Sequence, residues 1–106
     1  MKLYMKSPRK NYKAESIYDP ESKAFTVLKG SVVNESVSES KTFRGAGTIS
    51  RLREKFVKNN VVTEDVLFRS ASTAANFVTG QSTNGMRSWK TEGGLSLGQY
   101  LKNERG

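Results

Sequence analysis

The sequence predicts an α+β domain: a small antiparallel sheet, from an N-terminal and a C-terminal hairpin, packed with two helices near 48–58 and 71–79. Three observations carry this prediction. Short runs rich in β-formers lie between turn residues. Two windows repeat apolar residues at helical spacing. A length of 106 residues fits a single domain. Leu, Ile, Val and Phe make up 23 of those residues, just above the content at which a highly charged chain stays unfolded.

Taken in order, residues 1–13 hold Lys2, Lys6, Arg9, Lys10 and Lys13 with Pro8 and no acid, and read as a basic, disordered arm. The domain proper then spans 14–102. Glu15 to Tyr18 is strand-like, and Asp19-Pro20-Glu21-Ser22 has turn chemistry, because Pro fixes φ and the Asp carboxylate can bond its own backbone. Ala24 to Lys29 forms the return strand, with Phe25 and Val27 on one face. Gly30-Ser31 ends it, Val32-Val33 continues as a bent or third strand, and the polar run 34–42 is a loop. From Thr48 to Lys58, Ile49, Leu52 and Phe56 form one helical stripe. Gly47 or Thr48 suits its start and Asn59-Asn60 its end. Val66-Leu67-Phe68 is a short buried strand. Ser70 is an N-cap for a helix from Ala71 to Thr79, with Gly80 as its left-handed C-terminal residue. Asn84-Gly85 turns the chain, and Met86 to Thr91 is extended with Trp89 inward. Glu92-Gly93-Gly94 turns again, Leu95 to Leu97 returns, and Gly98 to Lys102 forms a final turn or helix. Residues 103–106 are a loose tail. The expected core is Phe25, Val27, Ile49, Leu52, Phe56, Val66, Phe68, Ala74, Phe77, Val78, Trp89 and Leu97.

Composition limits the chemistry. There is no Cys and no His, which removes disulfides, thiolate or imidazole metal sites, Cys and His nucleophiles and every Ser-His-Asp relay. No carboxylate pair stands at metal or acid/base spacing, so no catalytic residue, metal site or cofactor is expected. No apolar run exceeds three residues and the first ten lack an apolar core, so neither a membrane span nor a secretory leader is expected. The absence of Cys fits a reducing cytoplasm.

The formal net charge is +8. The excess sits in two blocks, the N-terminal arm and the segment from Arg44 to Lys58. A surface so positive attracts polyanions. On a helical projection Arg51, Lys55 and Lys58 cluster within about 60°, with Arg44 and Arg53 nearby. This face suits a phosphate backbone; a merely solvated helix face is the competing reading. Arg44-Gly45-Ala46-Gly47-Thr48 lacks the Lys-Ser/Thr of a nucleotide loop and reads by default as a helix-entry turn, with a nucleic-acid phosphate at that helix start as the other reading. Arg87 and Lys90 flank Trp89, which is either a stacking platform or, more usually, core. The expected nucleic-acid-binding residues are therefore Arg44, Arg51, Arg53, Lys55, Lys58, Arg87 and Lys90, helped by the arm.

Four blocks occur in order: FTVLKGSVV from Phe25, FRGAGTISRLREKF from Phe43, VLFRSASTAANFVTG from Val66 and NGMRSWK from Asn84, followed by GLSLGQYL from Gly94. Together, over about residues 14–101, they resemble the domain-of-unknown-function family numbered 4357, an accessory domain at the C-terminal end of bacterial GIY-YIG nuclease-like proteins. Ser70, Ser72, Ala74, Ala75, Gly80, Asn84, Gly85 and Trp89 are also similar to the pattern of a domain associated with restriction enzymes and adenine methylases, with Met86 where an aromatic usually follows Asn-Gly. The resemblance implies an accessory module of DNA-processing systems and carries no catalytic residue; the chain has no GIY or YIG string. The expected function is non-catalytic binding of nucleic acid, DNA favoured. The alternative is a protein-interaction module whose partner is a nuclease or a restriction-modification component.

Overall fold

The backbone is seen in a computed structural model that describes residues 1–38 and 45–104. In chain order the elements are β1 (Lys2–Ser7), β2 (Tyr12–Tyr18), β3 (Phe25–Val27), α1 (Ala46–Phe56), β4 (Val57–Lys58), β5 (Val61–Val62), β6 (Val66–Phe68), α2 (Ala71–Thr79), α3 (Gly85–Ser88) and α4 (Leu97–Glu104). The main sheet has the order β1-β2-β3-β6, antiparallel throughout, and β4-β5 form a small hairpin. The protein is thus α+β, as its residue patterns imply.

Alternation decides the sheet. On one face Leu3, Met5, Ala14, Phe25, Val27, Val66 and Phe68 are buried. α2 closes that face with Ala74, Ala75, Phe77 and Val78, and the Phe68 and Phe77 rings lie 5.2 Å apart. Trp89 is fully buried, its centroid 6.3 Å from that of Phe25, and its indole N–H donates to the Ala71 carbonyl at 3.1 Å. Of the expected core positions only Leu52 and Phe56 are merely half-buried.

Several expectations need correction. The basic arm is not loose: residues 2–7 are β1, because Leu3 and Met5 alternate with Lys2, Tyr4 and Lys6, so one side can be buried while the other keeps its charges in water. The first helix runs two residues earlier than expected and stops at Phe56. Asn59 and Asn60 instead make the β4-β5 turn, at φ 53° and 65°, a conformation Asn tolerates better than most residues. Residues 85–88 are helical rather than extended, since the Asn84 side chain accepts the Met86 N–H at 3.0 Å and caps a short helix. The C-terminal hairpin shrinks to a bridge between Lys90 and Ser96, and the fourth strand is β6. Asn103 and Glu104 belong to α4, not to a tail. Arg44 and most of the second half of the 34–42 loop lie outside the described residues.

α2 is held at both ends. Ser70 Oγ accepts the Thr73 N–H at 3.1 Å, and Gly80 adopts φ 75°. At the C-terminal end Arg53, only 9% exposed, reaches across from α1. Its guanidinium donates to the Phe77 carbonyl from Nε at 3.0 Å and Nη2 at 2.8 Å, to Val78 O at 3.1 Å and to Asn34 O at 2.6 Å. Burial lowers the Arg53 pKa from its ordinary value, yet a guanidinium remains charged throughout the working range. The negative end of the α2 dipole compensates that charge. At the other end Gly85 packs so closely on the Ala71 carbonyl and the Ser72 N–H that an added Cβ would overlap both.

Two outcomes follow. Arg53→Met should lower unfolding free energy by about 3 kcal/mol in urea titrations, because three carbonyls lose their donor, and Arg53→Lys should recover little of it. Gly85→Ala should cost at least about 2 kcal/mol in the same measurement, since the obstacle is backbone and cannot rotate away.

Candidate functional site

Among the described residues, no helix packs on the second face of the main sheet. Directly paired residues project to the same side, so its surface can be read row by row from the register. One row runs Lys6, Lys13, Val32, Val61, Lys58, through the β1-β2 ladder, two isolated bridges and the β4-β5 hairpin. At about 5 Å per step it spans roughly 20 Å. Beside it runs Ser96, Lys90, Tyr4, Glu15, where Tyr4 and Lys90 exchange both backbone hydrogen bonds at 2.8 Å. A third row is Lys2, Ile17, Thr26, Leu67. The lysines in these rows are exposed, as are Ile17 at 39% and Leu67 at 66%.

The chain after α3 folds alongside this face. It leaves a cleft of about 670 Å³ lined by Tyr4, Lys6, Lys13, Glu15, Ser88, Lys90, Thr91, Glu92 and Gly94, with Met5 and Ala14 at its floor. A shallower hollow of about 260 Å³ adjoins it, between Lys6, Ser7, Pro8, Asn11, Tyr12, Lys13 and Val32. Lys6 and Lys13 line both. The β1-β2 turn that holds Asn11, at φ 54°, also exposes Arg9 and Lys10. Lys2 Nζ sits 3.4 Å from Glu15 Oε2 and 5.7 Å from the centre of the Tyr4 ring. That is the one ion pair among the described residues, and both partners are well exposed, so it is weak. Lys6, Lys13 and Lys90 thus face the cleft with Glu92 as the second nearby acid.

The structure brings together only part of the set expected from sequence. Lys58 and Lys90 join the open face. Arg51 and Lys55 are exposed on α1, in the layer of helices; Arg51 Nε donates to Gly47 O at 3.4 Å and Lys55 Nζ lies 5.2 Å from the Phe56 ring. Lys58 is extended rather than helical, so the three-cation helix face reduces to two residues. Arg87 is exposed on α3, which packs on α2 and α4. Arg53 is not a surface residue: its donors are consumed by the carbonyls at the end of α2. Arg44 lies outside the described residues. Trp89 is core. Tyr4 is the aromatic that the cleft contains; the alternation of Lys2 to Lys6 with Leu3 and Met5 was the signal for it.

The residues of the Ser70–Trp89 block that carry the resemblance have structural roles. Ser70 and Asn84 are caps, and Ser72 Oγ accepts the Gly85 N–H at 3.1 Å. Ala74 and Ala75 are buried, and Trp89 is bonded to Ala71. Met86, where an aromatic would stand, is a large apolar side chain of that block left exposed.

Among the described residues no group of three or more Asp or Glu is placed to hold a metal, and no helix is long and apolar enough to cross a membrane. The model of one protein family, Domain of unknown function (DUF4357), matches residues 3–101. No curated protein and no solved structure matches the chain.

Glu15→Gln should change thermal stability by less than about 0.5 kcal/mol, as expected for an exposed pair, while making the cleft more positive.

Proposed function

The chain belongs to the DUF4357 family, and from that premise we propose that it is a non-catalytic module that binds nucleic acid, DNA in first place, through the open face of its sheet. The observation that carries this reading is the row from Lys6 to Lys58 with Lys90 beside it: exposed cations on a face that no helix among the described residues covers. Phosphate contacts of this kind supply affinity without sequence preference and release counterions, so binding weakens steeply with salt. The resemblance of the Ser70–Trp89 block to a domain accompanying restriction enzymes and adenine methylases supports DNA over RNA and an accessory role in the bacterial cytoplasm.

A protein partner is the second reading. Leu67 and Ile17, exposed at the far end of the same face, favour it, because large apolar side chains contribute little to phosphate binding.

The test is a titration of labelled DNA at about 50 and 200 mM salt. The wild type should bind at low salt and lose affinity by orders of magnitude at high salt. Lys6→Gln with Lys13→Gln and Lys90→Gln should weaken binding and flatten the salt slope by about one unit per lysine. Arg51→Gln with Lys55→Gln should do neither. Undetectable or salt-independent binding overturns the reading, and the reverse order of the two variants moves the surface to α1.

A further inference from the structure

We propose that the nucleic acid is held as a single strand of DNA, with one unstacked base inserted into the cleft against Tyr4 and the flanking phosphates on Lys6, Lys13 and Lys90. This rests on the nucleic-acid reading above and narrows its ligand.

Three features of the face select a single strand. The first is size. A cleft of about 670 Å³ between the sheet and residues 88–94 admits one nucleotide unit, while a duplex, whose bases stay stacked inside, could only rest on the rim. The second is continuity. The adjoining hollow of about 260 Å³ shares Lys6 and Lys13 with the cleft, so a strand leaving the first pocket meets the same two cations on its way to the second. The third is chemistry. The row interleaves Val32 and Val61 with its lysines, and Tyr4 lies in the next row. A duplex presents such a surface mainly with its sugar-phosphate backbone, its base faces being stacked inside. A single strand offers base faces as well, and a π-face stacks on an aromatic ring whatever the base. Lys2 Nζ, 5.7 Å from the ring centre, already shows that the Tyr4 ring is accessible to a cation beside it.

The experiment compares a ten-nucleotide oligothymidylate with a duplex carrying the same number of phosphates, at low salt, using the full chain. The wild type should prefer the single strand, and Tyr4→Ala should weaken that complex about tenfold while leaving duplex binding unchanged. Tyr4→Phe should bind like the wild type, because the ring and not the hydroxyl is used. A 2-aminopurine placed mid-strand should change its fluorescence on binding wild-type protein, and this measurement decides the matter if Tyr4→Ala does not fold. Equal binding of both DNA forms with no effect of Tyr4→Ala, or unchanged 2-aminopurine emission in a saturated complex, overturns the single-strand inference and leaves the nucleic-acid reading intact. Failure of both DNA forms to bind overturns the two together.

Discussion

The Arg53 guanidinium joins three parts of the chain at one point. It extends from α1, fills the end of α2 and reaches the segment after β3 through Asn34. A buried cation needs compensation, and among the described residues no carboxylate supplies it; the partners are carbonyl oxygens, with the end of a helix dipole behind two of them. The neighbouring bonds close the same joint. Asn34 N–H donates to Val78 O at 2.8 Å, Asn34 Nδ2 to Thr79 O at 2.9 Å, and the left-handed Gly80 lets Ser36 approach its backbone. With α2 fixed at this end, its opposite end can hold Gly85 and Trp89, and these in turn lead the chain to the edge of β1. Arg53 and Gly85 thus secure the two ends of α2, and the chain beyond Trp89 brings Lys90 beside Tyr4.

This explains why the most distinctive block of the sequence is silent about binding. Ser70 and Asn84 cap helices by accepting the Thr73 and Met86 N–H groups, Ser72 accepts the Gly85 N–H, and Trp89 spends its indole N–H on Ala71. The block is a folding device that delivers residues 88–94 to the sheet. What it delivers them to is β1 and β2, whose side chains look unremarkable in sequence.

The legible parts of the fold were those in which a local rule and burial agree. Ser70, the apolar face of α2, Gly80, the Asp19 turn and the Phe25/Val27 alternation each state their structure within a few residues. Arg53 was illegible because helical spacing places it beside other cations, while its partners lie far along the chain, Phe77 and Val78 on α2 and Asn34 nineteen residues before it. β1 was illegible for a related reason. Five basic residues and Pro8 outweigh two inward side chains, Leu3 and Met5, in any count of composition. The alternation of Leu3 and Met5 with Lys2, Tyr4 and Lys6 is the short signal that such a count hides, and pairing with β2 puts Lys13 on the same side. Lys58 and Lys90 are named from sequence, and Lys6 and Lys13 belong to the arm counted there as basic. From sequence, though, Lys58 falls on a helix and the arm is a free tail, so the alignment of Lys6, Lys13 and Lys58 along one row of the sheet, with Lys90 beside it, was not legible.

The bridge between Tyr4 and Lys90 spans 86 residues of chain. Closing so large a loop carries an entropic cost that must be met before the contact returns anything, and contacts of this range set slow steps in folding. The cleft walls come from both sides of that bridge, so the pocket exists only once the two distant stretches have met. Any molecule seated there would act as a clasp: it would bind the joined state alone and raise its population by mass action. Protection of the Tyr4 and Lys90 amides against hydrogen exchange would then rise with occupancy, so at the first strand binding and closure of this long loop are thermodynamically linked.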